Sequence, residues 1–287
     1  MDWNTPFDRT PSAAMDSSSF SSILRRLRPE GLPQTRPERQ KSPLAEVPHG
    51  TTILALRFDG GVIVAGDRRA TEGYSIAHRS IEKVFPTDET SAVAIAGAAG
   101  PAIEMVRLFQ TELEHYEKIE GEPLTLEGKA NKLSQLLRAN LPMAMQGMVV
   151  VPMFAGFDRR RNFGRIFKYD VTGGRYEESD FWATGTGGRD ARATIKKRYR
   201  PAISEQEATK IALEALFDAS EEDAATGGPD VLREIYPNIA SVSAAGFREI
   251  PDEEISRLFS ALLEERKAAG RVEARETVPG GLEHPIG

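Results

Sequence analysis

HGTTILALRF at residues 49–58, DGG at 59–61 and VIVAGD at 62–67 follow one another without a break. Thr51–Phe58 and Val62–Asp67 are rich in β-branched and aliphatic residues. Asp59-Gly60-Gly61 between them favours a tight turn, so the stretch reads as a hairpin of two strands. Further strands are expected at 81–85 and 91–96. A helix then fits 101–116, where Ile103, Val106, Phe109, Leu113 and Tyr116 recur at helical spacing. A second helix is expected over 124–145, strands at 148–157, 164–170 and 181–184, helices at 189–198 and 205–220, and a strand at 239–244. The last periodic stretch is 253–266, with Ile255, Leu258, Phe259 and Leu262 on one face. Strands and helices come in separate blocks, which points to α+β layering rather than a doubly wound βαβ sheet. Two sheets with helices on both outer faces would bury every one of these stripes.

Upstream of Gly50 the texture is different. Residues 1–50 hold seven of the 18 prolines and seven serines. Proline fixes φ and removes a backbone donor, so this segment reads as a flexible leader. Phe20, Ile23, Leu24 and Leu27 are the exception, spaced as one face of a short helix that needs a surface to dock on. Residues 271–287 return to Gly, Pro and Glu and read as a fraying tail. The expected division is therefore a leader at 1–50, a folded domain at 51–270 and a tail at 271–287.

Composition narrows the chemistry. The 287 residues are 40% apolar and 28% charged, and include no cysteine. Disulfides, thiolate metal sites and cysteine nucleophiles are thus excluded. A formal net charge of −6 argues against nonspecific nucleic-acid binding. Neither an apolar run of membrane-spanning length nor a secretory signal is present, and a cytoplasmic chain without membrane partners is expected. His49, His78, His115 and His284 show no metal-ligand pairing, so no metal is expected. There is no GxSxG elbow and no GxxxxGK[ST] loop. Gly185-Thr186-Gly187-Gly188 opens like a dinucleotide fingerprint, but Asp190 stands at the third glycine position and no nucleotide cofactor is expected.

What remains is a hydroxyl nucleophile activated without histidine, and the junction His49-Gly50-Thr51-Thr52 offers one. Cutting the Gly50–Thr51 bond would give Thr51 a free α-amine beside its own hydroxyl. An α-amine has an unperturbed pKa of about 7.7–8.0, suited to a general base at neutral pH. Nucleophile and base would be one residue. Before cleavage the nitrogen is an amide and accepts no proton, so the leader would act as a chemical lock.

Thr51-Thr52-Ile53, Gly66-Asp67-Arg68-Arg69-Ala70-Thr71, Lys83-Val84, Ala96-Gly97, Gly185-Thr186-Gly187 and Asp223-Ala224-Ala225-Thr226-Gly227-Gly228 together resemble, in order and spacing, the N-terminal threonine hydrolases of the proteasome β type. The likeness runs from about Thr51 to about Leu263. The Pro/Ser-rich leader, LEHYEKIEGEPLTLEGK at 113–129 and ATGGPD at 225–230 resemble the bacterial, actinobacterial-type β subunit.

The resemblance implies a four-layer αββα sandwich, the N-terminal nucleophile hydrolase fold. It implies that Thr51 attacks the scissile carbonyl and that Lys83 lies by its Oγ. Asp67 would hold Lys83, Gly97 would donate its N–H to the oxyanion, and Arg69 would support Asp67. Thr186, Asp223 and Thr226 fall where the family has Ser, Asp and Ser around the nucleophile's amino group. Ala70, Ile81, Ile95 and Ala99 would line the pocket for the residue before the cut, favouring apolar side chains. Autocatalytic cleavage at Gly50–Thr51 is implied, with no cofactor. So are homo-heptameric β rings stacked in two copies between α rings, an ATPase unfoldase acting through the α rings, and unfolded protein as substrate. Three alternatives stay open: an amidohydrolase of small amides on the same fold, the smaller ATP-dependent bacterial peptidase, which has almost no leader, and a non-catalytic subunit.

Overall fold

The computed structural model describes residues 50–73 and 75–276. In chain order the elements are β1 (Thr52–Phe58), β2 (Gly61–Gly66), β3 (Ala70–Glu72), β4 (Ser75–His78), β5 (Val84–Asp88), β6 (Ser91–Gly97), α1 (Ala99–Glu120), α2 (Leu126–Ala139), α3 (Leu141–Ala144), β7 (Val150–Asp158), β8 (Phe163–Tyr169), β9 (Arg175–Glu178), β10 (Phe181–Gly185), α4 (Gly188–Arg198), α5 (Glu205–Glu222), β11 (Asn238–Ser243), β12 (Gly246–Glu249) and α6 (Asp252–Glu276). The leader through residue 49, with its Phe20–Leu27 face, lies outside the described residues, as do residues 277–287.

The hairpin expected at 51–67 is present, β1 pairing antiparallel with β2 in the register Ile53↔Gly66 to Phe58↔Gly61. It forms the middle of a five-stranded sheet ordered β10-β1-β2-β11-β12, and a second five-stranded sheet runs β5-β6-β7-β8-β9. Side chains of successive strand residues point to opposite faces, and in β1 both faces are covered. Leu54, Leu56 and Phe58 pack against α4, α5 and α6, whereas Ile53 and Ala55 face the second sheet. Between the sheets, Val62 and Val64 of β2 share a core with Ala92, Ala94, Met153, Ala155 and Ile166. On the far side, Val93, Phe154 and Phe167 meet Phe109 of α1 and Leu133 and Leu137 of α2. The expected four layers, helix–sheet–sheet–helix, are thus found, with apolar cores filling all three gaps between them.

Differences from the sequence reading have local causes. The helix expected over 124–145 divides at Asn140, whose N–H bonds back to Leu136 O and Leu137 O. Pro142 has no N–H to continue the ladder and instead starts the short α3. Conversely, α6 runs ten residues past the expected end at Arg266, so residues 271–276, expected in the tail, are helical. Alanine, arginine and glutamate dominate that stretch, and the single Gly270 does not outweigh their propensity.

Phe154 is fully buried between Phe109, edge-on at a ring-centroid distance of 5.8 Å, and Phe167, stacked at 6.0 Å. Phe154→Ala is expected to lower the stability of the full-length chain by about 3–5 kcal/mol, read as a shifted urea midpoint.

Candidate active site

Register brings three strand ends together. Thr51 immediately precedes β1, Asp67 follows β2, and the Thr52↔Gly185 pairing sets the end of β10 and Thr186 on the other side. Gly185 lies at φ +100°, and a Cβ there would stand 1.8 Å from Thr51 O, so only glycine lets β10 pass so close. Thr186 N–H then donates to Thr51 O at 2.9 Å. Lys83 stands just before β5 and Gly97 closes β6, which places both at the same end of the second sheet.

Asp67 is fully buried and saturated with donors. Its Oδ1 accepts from Thr52 N–H at 2.8 Å and from Lys83 Nζ at 2.7 Å. Its Oδ2 accepts from Arg69 N–H and Gly227 N–H, both at 2.9 Å. Lys83, 3% exposed, also donates to Arg69 O at 2.6 Å. Burial pushes the Lys83 ammonium below the ordinary lysine range, and its pairing with Asp67 offsets only part of that push.

Thr51 is itself 6% exposed. Its Oγ1 donates to Gly50 O at 2.7 Å, and its N–H points to Thr186 Oγ1 at 3.4 Å. Thr186 Oγ1 in turn donates to Asp223 Oδ2 in a short hydrogen bond. Thr226 Oγ1 donates to the same oxygen at 2.6 Å, yet its other neighbour is the Thr52 hydroxyl, not Thr51. Burial pushes the Asp223 carboxyl up, but hydrogen bonds from Thr186, Thr226 and the Ala225 amide outweigh it and hold the group below the ordinary aspartate range. Arg69 supports this loop through Nη1 to Ala224 O at 2.9 Å.

A small pocket opens beside Thr51. Ala70, Ile81, Ile95 and Ala99 all line it, together with Lys83 and Gly97. Gly97 adopts φ +103°, and a Cβ would press on Val149 O at 2.1 Å. The structure therefore gathers the candidate site residues from Gly50 to Thr226 into one neighbourhood. It adds three that the sequence reading passed over. Thr71 accepts the Gly50 N–H at 3.0 Å, Glu82 is among the residues lining the cavity, and Thr52 Oγ1 accepts from Gly187 N–H at 3.0 Å. Of these, Thr71 and Thr52 stand inside the quoted motifs without a role assigned to them, because nothing in a strand-forming threonine announces which way its hydroxyl turns. Among the described residues no three His, Asp or Glu side chains gather as a metal-ligand set, and no helix is long and apolar enough to cross a membrane.

A layered αββα chain with a threonine at the head of β1, beside a buried aspartate–lysine pair, defines a narrow class. A family profile described as proteasome subunit matches residues 47–235. A proteasome subunit beta of Acidimicrobium ferrooxidans is 61% identical over 227 residues, which cover 78% of this chain and 83% of that one. One from Streptomyces griseus is 54% identical over 260 residues, 90% of this chain and 92% of the relative. The chain belongs to the proteasome subunit family and stands among its β members.

Asp67→Asn would turn an NH₂ group toward two of the four donors that the carboxylate now accepts and deprive Lys83 of its hydrogen-bonded countercharge. A stability loss of about 3–5 kcal/mol is expected. Equal denaturation midpoints for the variant and the wild type would contradict this account of the pair.

Proposed function

We propose that residues 1–50 are a leader removed by the chain itself at Gly50–Thr51, and that the exposed Thr51 then hydrolyses peptide bonds in unfolded protein. The observation that carries this reading is the position of Thr51, with its hydroxyl on the Gly50 carbonyl oxygen and its nitrogen on Thr186.

In maturation, Thr51 Oγ attacks the Gly50 carbonyl carbon. The Gly50–Thr51 C–N bond breaks, the hydroxyl proton passes to the departing nitrogen, and an ester to Oγ forms. Water then hydrolyses the ester, which releases the leader as a carboxylate and leaves a free amine. The same steps serve substrate, with that amine taking the Oγ proton and returning one to the leaving nitrogen. Lys83, fixed by Asp67, supplies positive charge to the developing alkoxide. The Gly97 N–H receives the oxyanion, a role worth about 2.7–4 kcal/mol of barrier in comparable sites. Thr186, Asp223 and Thr226 orient the amine. Ala70, Ile81, Ile95 and Ala99 give the pocket an apolar floor that suits aliphatic and other uncharged side chains before the cut.

The relatives are named as subunits, and we carry assembly over from them: homo-heptameric β rings in two copies between α rings, fed by an ATPase in the cytoplasm. Retention of Thr51, Asp67 and Lys83 in hydrogen-bonded contact with their neighbours favours a catalytic over a purely structural subunit.

Thr51→Ala is expected to keep the leader attached and to abolish peptide hydrolysis, as read by intact mass and a fluorogenic peptide. Lys83→Ala should assemble with the α partner yet turn over the peptide on the order of a hundredfold more slowly or worse. Near-normal turnover would remove Lys83 from the mechanism.

Gly50→Ala tests the leader's seat. A Cβ at Gly50 would fall 1.9 Å from Ala225 Cβ and 2.8 Å from Ala225 Cα, so leader removal should slow sharply. Adding Ala225→Gly removes the nearer atom and should restore part of the rate, followed by mass spectrometry over time.

A further inference from the structure

We infer that the Thr52 hydroxyl is a positioning group: by donating to Thr226 it fixes one of the two hydrogen-bond arms that converge on Asp223, the carboxylate that also holds Thr186 against the Thr51 nitrogen. The inference rests on the reading of Thr51 as nucleophile given above.

The direction follows from counting hydrogens. A hydroxyl has one hydrogen to give and two lone pairs with which to accept. Thr226 Oγ1 gives its hydrogen to Asp223 Oδ2 at 2.6 Å, so at the 2.6 Å contact with Thr52 it can only accept. Thr52 Oγ1 must therefore donate to Thr226, which leaves it free to accept from Gly187 N–H at 3.0 Å. Thr186 likewise gives its hydrogen to Asp223 Oδ2, so toward the Thr51 nitrogen it presents a lone pair. The chain runs from Gly187 N–H through Thr52 and Thr226 to Asp223, and from the Thr51 N–H through Thr186 to the same oxygen. Asp223 is the common sink of both arms. The low pKa of Asp223 agrees with an ionised carboxylate in that place.

For an amine to serve as a base, its hydrogens must be held elsewhere while its lone pair faces Oγ. Thr186 can hold one only while its own hydrogen is committed to Asp223. Thr52 fixes the second arm, so that Asp223 keeps both hydroxyl donors and its charge stays shared. Thr52 is fully buried and does not line the cavity beside Thr51, so no water can replace its hydroxyl freely. Its amide N–H is separately bound to Asp67 Oδ1, which means a side-chain change leaves the Asp67–Lys83 pair in place. The other charges facing Asp223 are Arg69 and Lys83, with Asp67 beyond them, and none is altered by the variants below.

Without the Thr52 hydroxyl, Thr226 receives nothing and donates more weakly to Asp223. The carboxyl then titrates at higher pH, and its less shared charge keeps the neighbouring amine protonated to higher pH. Both effects move activity in one direction.

The test compares Thr52→Val, nearly isosteric but without the hydroxyl, with Thr52→Ser, which keeps it, each in the full chain assembled with its α partner. Thr52→Val is expected to lower kcat on the order of tenfold with KM unchanged and to shift the acid limb of kcat/KM to higher pH. Thr52→Ser should restore kcat and the limb. A Thr52→Val particle with wild-type kcat and acid limb, or Thr52→Ser as impaired as Thr52→Val, overturns the inference. Should valine block assembly, Thr52→Ala replaces it under the same criteria. An inactive wild-type particle would instead overturn the reading of Thr51. The inference is then decided by carbon NMR titration of the Asp223 carboxyl in the full-length chain. A higher midpoint in Thr52→Val than in wild type supports it, and an unmoved one sinks it.

Discussion

A fully buried carboxylate is the constraint around which this end of the molecule is organised. Asp67 carries a negative charge where almost no water reaches, and such a charge persists only if its lone pairs are filled. Four donors fill them, and they come from four separated parts of the chain: Thr52 in β1, Arg69 after β2, Gly227 in the loop after α5, and Lys83 ahead of β5. Asp67 also donates its own N–H to Thr52 O at 3.1 Å, so its side chain and backbone together prolong the β1–β2 ladder by one rung beyond the end of β2. The two sheets are therefore joined at this edge by charge as well as by the apolar core between them.

Placement at strand ends explains how so many polar groups coexist with a dry interior. Within β1 and β2 nearly every side chain is apolar and buried on both faces. Polar chemistry begins where the ladders stop, at Thr51, Asp67, Lys83 and Thr186. There the backbone has unpaired groups to offer, and side chains complete the hydrogen-bond accounting. A one-residue slip of β1 against β2 would turn Leu54 and Ile53 to the wrong layers. The same packing that rejects a slip therefore holds Thr52 opposite Asp67, with Thr51 one residue beyond at the end of the ladder.

The parts of the fold that could be read from sequence are those where one force decides. The 51–67 hairpin, the stripe from Ile103 to Leu113 and the Leu258–Leu262 face are set by burial, whose period is visible in the chain. β3, β4, β9 and β12 were not anticipated, because they are short, sit at edges or outside the two main sheets, and carry little apolar signal. The break at Asn140 could have been read from Pro142, but the leucine periodicity on either side masks it. At the site, Thr51, Asp67 and Lys83 were legible through spacing and resemblance. Thr52 was not. Its neighbour supplies the nucleophile, and a β-branched residue opening a strand has a sufficient reason to be there without any hydroxyl chemistry.

Threonine at 52, 186 and 226 has a physical reading in this geometry. A serine hydroxyl rotates among three χ1 wells, whereas the extra methyl of threonine restricts that choice. Each of these hydroxyls must both accept from one defined neighbour and donate to another, so two of three rotamers are useless. Restricting χ1 in the unfolded chain reduces the entropy lost when the correct rotamer is fixed. Gly187 encloses the Thr52 and Thr226 hydroxyls from one side: a Cβ there would lie 2.6 Å from Thr52 Oγ1 and 2.7 Å from Thr226 Oγ1, so the backbone itself closes over the pair. Directionality at Thr52 and Thr226 is thus a property of packing: with both hydroxyls buried and their rotamers limited, the order of donors leads to Asp223, which also takes the hydrogen of the exposed Thr186.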